Sequence, residues 1–295
     1  MPDTMSAGDA GADDKTTPVI VRSVGALRAA VAAYRRADER VALVPTMGAL
    51  HSGHMALVDA ARAASQRIVV SIFINPAQFA PSEDLASYPR SEAEDLGKLA
   101  DAGVDLVFMP DAGEVYGEGF ATSVTVAGPG DGLESAARPQ FFTGVATVVA
   151  KLLLQCLPDV ATFGEKDYQQ LQVVRRLVRD LDIPCEILAV PTVREVDGLA
   201  CSSRNAYLTP AQRLVAARLY ENLQASAERL TAGAAINAEI ERCTARLRAA
   251  GFDRVDYLAL CDGESLKPLS SLNGNARLLA AVRLGNTRLI DNLSV

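Results

Sequence analysis

The chain has 295 residues, 49% of them hydrophobic but only 5% aromatic, and a formal net charge of −7, so it can bury a substantial Ala-, Val- and Leu-rich core as one large or two ordinary domains. The acidic balance, with no dense run of Lys or Arg, argues against extended nucleic-acid binding, and no apolar run approaches the roughly 20 residues that cross a bilayer. Five scattered cysteines (Cys156, Cys185, Cys201, Cys243, Cys261) contain no C-x-x-C, which argues against a disulfide framework or zinc cluster and fits a reducing cytoplasm.

Residues 1–18 are acidic and rich in Gly, Ala, Asp and Thr, and they lack the basic and apolar segments of a signal peptide; they read as a mobile tail. From residue 19 strand and helix signals alternate. Strands are expected at 19–22, 41–46, 67–74, 104–109, 160–163 and 185–190, and helices at 24–37, 54–65, 91–102, 142–156 and 168–181. The strands are nearly continuous apolar runs, as in Ile68 to Ile74, which is the pattern of a sheet covered on both faces. The spacing predicts an α/β fold, a Rossmann-like doubly wound parallel sheet over residues 19–192, with ligands at the carboxyl ends of its strands. After residue 193 the pattern changes. Two long amphipathic helices near 210–232 and 234–250 precede strands at 255–260, 277–284 and 287–294, with a hairpin turn at Gly285-Asn286. Residues 193–295 therefore read as a smaller C-terminal α+β domain, closely coupled because no low-complexity linker intervenes.

The chain's two histidines, His51 and His54, fall in one cluster, Met47-Gly48-Ala49-Leu50-His51-Ser52-Gly53-His54, between an expected strand and an expected helix. A helix starting there would put both imidazoles on one face and offer its free N–H groups to an anion such as phosphate. Read alone, such a short cluster is more often two neighbouring surface or core histidines, and the strand-to-helix context and the absence of other histidines shift the balance towards function; two imidazoles without a third His or a Cys make a poor zinc site. Gly164-Glu165-Lys166-Asp167 follows another strand, where Lys166 can hold a phosphate as a point charge, although a solvated charged loop is the commoner fate. Cys201-Ser202-Ser203-Arg204 supplies hydroxyl and guanidinium donors in a turn, and Gln78 and Gln170 place amides beside apolar residues, where a small hydroxy acid could be oriented.

Together and in this order, the segments Val44 to His54, Phe163 to Leu171 and Ser202 to Leu208 resemble the pantothenate synthetase, or pantoate–β-alanine ligase, family, and the resemblance runs from about residue 19 to the C-terminus. The first segment is shared with other H-x-G-H nucleotidyltransferases; the three together are specific. The resemblance implies a cytoplasmic, homodimeric enzyme of pantothenate biosynthesis that converts ATP, (R)-pantoate and β-alanine to pantothenate, AMP and diphosphate through a pantoyl adenylate. By the same resemblance, Met47 to His54, Gly164 to Asp167, Val193 and Cys201 to Arg204 form the ATP site, with His54, His51, Lys166 and Arg204 in catalytic roles and His54 as a proton donor. Gln78 matches a glutamine that holds pantoate and lies near β-alanine, and Gln170 matches a second pantoate ligand. Magnesium accompanies ATP, with Glu94 and Asp95 in the acidic segment that approaches it. The chain departs from the family pattern at Ser52, often Glu, at Cys201, usually Met, and at Phe141, usually His. The competing readings are another H-x-G-H nucleotidyltransferase, which the glutamine pair and the Ser-Ser-Arg segment count against, and a non-catalytic nucleotide-binding regulator.

Overall fold

A computed structural model describes residues 17–80, 85 and 88–295; the tail expected over 1–18 lies outside them except for Thr17 and Pro18. The apolar runs form strands β1 (Val19–Val21), β2 (Val41–Thr46), β3 (Arg67–Ile72), β4 (Leu106–Phe108), β5 (Val160–Gly164) and β6 (Glu186–Val190). They lie in the order β1-β4-β3-β2-β5-β6, and every neighbouring pair is parallel. Helices α1 (Val24–Arg36), α2 (Ser52–Ala64), α3 (Glu92–Asp101), α4 (Ala112–Val115), α5 (Glu134–Ala137), α6 (Phe141–Cys156) and α7 (Tyr168–Asp180) lie between the strands in sequence. Successive strand residues point to opposite faces, and both faces are covered. Val41, Leu43 and Val69 pack with Leu27 of α1 and Val145 and Val149 of α6, while Ala42, Val44, Ile68 and Val70 pack with Leu57 of α2 and Leu99 of α3. That two-sided burial is why the runs read as continuous rather than alternating.

The chain winds outward from β2 in both directions, through β3 on one side and β5 on the other, so the topological switch point lies between β2 and β5. Their ladder is short. It joins Ala42 to Val160 and Leu43 to Ala161 and ends before Pro45, which has no N–H to offer a neighbour. The two strands thus separate at their carboxyl ends, where an open α/β sheet places its ligand crevice.

The C-terminal part comprises α8 (Pro210–Ala216), α9 (Arg218–Thr231), α10 (Ile236–Ala249) and an antiparallel sheet of β7 (Arg254–Asp262), β8 (Ala276–Leu284) and β9 (Thr287–Ser294). The single helix expected over 210–232 is divided at Ala217, whose backbone stays near helical angles (φ −60°, ψ −28°), so the apolar spacing crosses the break unchanged. One face of this sheet packs Leu278, Ala280 and Val282 against Leu219, Leu223 and Leu247. Leu279 and Cys261 face the other way and join the core around Tyr168 and Leu171 of α7, and the Tyr168 hydroxyl donates to the Gly263 carbonyl at 2.9 Å.

Candidate active site

The 47–54 loop leaves β2 with two consecutive residues in the left-handed region, Gly48 at φ +81° and Ala49 at φ +50°. Glycine meets the first requirement without strain; Ala49 does not, and the conformation costs roughly 1–2 kcal/mol. Asp95 of α3 offsets that cost. Its buried carboxylate accepts the amides of Ala49 and Leu50, each at 2.8 Å. Helix α2 then begins at Ser52, with His51 as its N-cap. The His51 Nδ1 accepts the Gly53 amide at 3.1 Å, and the His54 Nδ1 accepts the His51 amide at 3.2 Å. Gly53 is required here for space, because a Cβ would stand 2.9 Å from the His51 ring.

This reciprocal cap has a chemical consequence. An imidazole whose Nδ1 accepts a hydrogen bond carries its proton on Nε2, so both rings are fixed as Nε2–H donors. Their centroids are 4.0 Å apart. Burial is the first cause that lowers both, helped for His51 by the Lys166 charge and for His54 by its twin and then Lys166; His51 falls from 6.5 to about 4 and His54 from 6.5 to about 3. The site therefore presents two neutral N–H donors. The N–H groups expected to offer themselves to an anion around the helix start are fewer than spacing suggests: Asp95 and the two rings occupy those of Ala49, Leu50, His51 and Gly53, and the His54 amide bonds the His51 carbonyl.

Glu94 and Asp95, expected to approach magnesium, have other partners. Asp95 has both oxygens committed to the loop, and Glu94 is exposed and paired with Lys98 at 2.6 Å. Among the described residues no group of three or more His, Cys, Asp or Glu side chains could cage a metal ion.

The cleft above the switch point has a volume of about 1250 Å³, beyond the roughly 300–1,000 Å³ of a pocket for one small ligand. Met47, His51, Gly53, His54, Gln78, Gly164, Lys166, Asp167, Gln170, Val193, Cys201, Ser202, Ser203 and Arg204 all line it, although they come from segments far apart in sequence. Gly48, Ala49, Leu50, Ser52 and Glu165 do not line it. Lys166 follows β5 on a short 3₁₀ turn (Glu165–Asp167), its ammonium 3.7 Å from the Asp167 carboxylate. The Ser203 hydroxyl donates to the Ala49 carbonyl at 3.2 Å, tying the 201–204 turn to the histidine loop, while the Ser202 oxygen accepts the Arg204 amide. Ser52 and Cys201, two of the three departures from the family pattern, touch each other, Oγ to Sγ at 3.2 Å. Phe141, the third, lies under the Arg138 guanidinium at 3.8 Å.

Gln78 is oriented by Asn75. The buried Asn75 accepts from the Tyr116 hydroxyl at 2.7 Å and donates to Gly144 O and Gln78 Oε1, each at 3.1 Å, which leaves the Gln78 amide nitrogen 3.0 Å from the weakly accepting Met47 sulfur. Arg138 donates to the Gln78 carbonyl at 3.1 Å and pairs with Glu134. Phe73, Phe141, Val145 and Leu152 supply an apolar wall. Asn75 and Arg138 were not singled out from sequence. Their importance lies in burial and long-range partners, which no local spacing reports.

A split in a parallel sheet, roofed by cations and neutral imidazole donors and large enough for a nucleotide and an acid together, defines a nucleotide-using enzyme of the doubly wound α/β class. Comparison with known proteins narrows the class. The family described as pantoate-beta-alanine ligase matches residues 19–294, and the chain belongs to that family. It is 57% identical over 276 residues to the pantothenate synthetase of Paramagnetospirillum magneticum, covering 94% of this chain and 97% of that one. Among solved structures, the pantothenate synthetase of Thermus thermophilus superposes with a TM-score of 0.89 at 50% identity, covering 94% and 99% of the two chains. The pantoate-beta-alanine ligase of Francisella tularensis, described as complexed with beta-gamma ATP and beta-alanine, superposes with a TM-score of 0.80 at 31% identity, covering 94% and 97%.

Proposed function

We propose that this ligase condenses (R)-pantoate with β-alanine in two steps within the one cleft. The observation that carries the reading is the convergence of His51, His54, Lys166 and the 202–204 turn on a cavity that Gln78 and Gln170 also line. ATP and β-alanine as substrates are further supported by the ligands of the Francisella relative. In the first step a carboxylate oxygen of pantoate attacks the α-phosphorus of ATP, the bond to the bridging oxygen breaks, and diphosphate leaves with its electron pair. No proton need move. The demand is for positioning and for stabilising charge on the phosphates. The Nε2–H groups of His51 and His54, the Lys166 ammonium, the Arg204 guanidinium and the hydroxyls of Ser202 and Ser203 meet it, and His54 acts as a fixed hydrogen-bond donor. Gln78 and Gln170 orient pantoate. In the second step the β-alanine amine attacks the acyl carbon, the bond to AMP breaks, and the amine proton passes to water.

Magnesium, if it accompanies ATP, would neutralise phosphate charge as a counter-ion of the nucleotide, since among the described residues no cluster of acidic side chains fits a protein-built cage. The reading also takes residues 19–192 as a nucleotide-binding domain over which 193–295 closes, a cytoplasmic location, and a homodimer. For the last, the support is the exposed Phe120 beside residues 121–126, which belong to no helix or strand and have no ladder partner among the described residues. No helix of the described residues is long and apolar enough to cross a membrane.

Incubation with ATP, pantoate and β-alanine, followed by mass spectrometry, should yield AMP and pantothenate in equal amounts. In a single turnover at stoichiometric enzyme, diphosphate should appear with pantoate alone. Diphosphate that appears only once β-alanine is added would remove the adenylate from the mechanism.

A further inference from the structure

Strand β9 reaches the cleft from the C-terminal sheet, and one of its side chains holds the turn that carries Lys166. Asn292 is 3% exposed and sits opposite Leu279 of β8. Its Nδ2 donates to the carbonyl oxygens of Glu165 and Lys166, both at 2.9 Å. Its Oδ1 accepts from Arg277 Nε at 2.7 Å. That third bond fixes the sense of the amide, since a flipped Asn292 would turn its N–H groups on the guanidinium and its oxygen on two carbonyls. Arg277 is itself held, by Glu165 Oε2 at 3.1 Å and by stacking 4.0 Å over the Tyr168 ring. Both donors of the amide are thus committed to backbone, and none is left for a substrate.

The turn needs such a hold. Lys166 stands on a single 3₁₀ turn of three residues, too short to fix its own direction by internal hydrogen bonds. Its charge also sits on a flexible four-carbon stem. The preceding residue of β9, Asp291, grips a different loop, through two bonds from Arg194 at 2.7 and 2.9 Å, so Asn292 alone of the pair addresses the 165–167 turn.

We propose that Asn292 is a positioning residue for Lys166: by holding the carbonyls of Glu165 and Lys166 it sets the turn that aims the ammonium at the phosphates of ATP. The proposal rests on the assignment of Lys166 to those phosphates. It is tested by single-turnover adenylate formation at saturating ATP and pantoate for Asn292→Ala, Asn292→Ser, Lys166→Met and the Asn292→Ala/Lys166→Met double variant, each with a melting curve. A displacement of about 1 Å can cost up to about 100-fold in rate, so Asn292→Ala should slow adenylation about 10- to 100-fold with the KM for pantoate unchanged. Asn292→Ser, which retains one donor, should lose less. In the Lys166→Met background, Asn292→Ala should change the rate by less than about 3-fold, because the group it positions is gone. Equal fractional losses in both backgrounds, in step with the melting temperature, would overturn the proposal in favour of a purely structural asparagine. A slow Lys166→Met beside a normal, folded Asn292→Ala would overturn the positioning role alone. A normal rate for Lys166→Met would remove the assignment of Lys166 and the proposal with it.

Discussion

At the scale of single residues, His54 has two duties that can be separated. Its Nδ1 closes the helix cap, and its Nε2–H is the donor that remains. Alanine removes both, so its rate loss would be mixed with a cap loss of about 0.5–2 kcal/mol. Asn at the same position can still accept the His51 amide through its side-chain oxygen but cannot place a donor at the imidazole's reach. His54→Asn should therefore melt close to the parent and form adenylate about 100- to 1,000-fold more slowly in a single turnover; a folded variant with near-normal rate would take His54 out of the chemistry. Gln78 gives a second contrast. Its nitrogen faces a thioether, a weak acceptor that a pantoate oxygen displaces at little cost. Gln78→Ala should raise the KM for pantoate by the equivalent of about 1–3 kcal/mol and leave ATP binding unchanged, as titration with each substrate would report. These positions were legible in the sequence because chemistry-bearing residues clustered directly after strand ends. Asp95 was legible only as an acid in an acidic stretch. That its oxygens turn inward to the 49–50 amides depends on how α3 packs on the sheet, which no local pattern encodes.

Elements were read more securely than the contacts between them. The apolar runs of β2, β3 and β5 and the amphipathic spacing of α2, α6 and α7 are local properties, and the structure reproduces them to within a few residues. The short turns at 76–78, 165–167 and 203–207, which carry Gln78, Lys166 and Arg204, have no periodicity to detect. Helix pairing in the C-terminal part rests on a feature equally hidden from spacing. Glu239 of α10 is buried to 1% exposure and accepts from Arg229 of α9 at 3.0 and 3.1 Å, and from Arg242 of its own helix. Burial pushes its carboxyl up, but hydrogen bonds from Arg229, Ser226 and Arg242 outweigh it and bring it down to about 2. Removing one partner of a buried ion pair costs about 3–5 kcal/mol, and the lower end applies because the arginines reach solvent. Glu239→Gln should thus lose about 3 kcal/mol in denaturant unfolding without changing the KM for any substrate. A loss below about 1 kcal/mol would show that the cluster is surface decoration.

For the whole molecule, the acidic chain gathers cations and neutral imidazoles over one cleft, and the cost of that arrangement falls on stability at low pH. An unfolded histidine takes its proton near 6.5, whereas in the folded chain burial and the nearby Lys166 and Lys98 hold His51 down to about 4 and His54 to about 3, with only Asp167 pulling His51 the other way. Above pH 6.5 both states are neutral and the full stability is present. Between 6.5 and about 4 the unfolded chain binds the protons and the folded chain does not, so stability falls as pH falls. Glu239 acts in the same direction but lower, since its ordinary value is 4.5 and its folded value about 2. The interval between pH 6.5 and 4.5 is therefore governed, among these groups, by the histidine pair. Each ring should contribute at most about 1 kcal/mol there, because the cleft is open to screening by solvent. Denaturant unfolding at pH 7.5 and pH 5.0 should show the parent losing more stability across that interval than a His51→Asn/His54→Asn double variant, which has nothing to protonate. Equal losses in the two proteins would mean that the rings take up protons in the folded cleft as readily as in the unfolded chain, and the account of them as neutral donors to phosphate would fall.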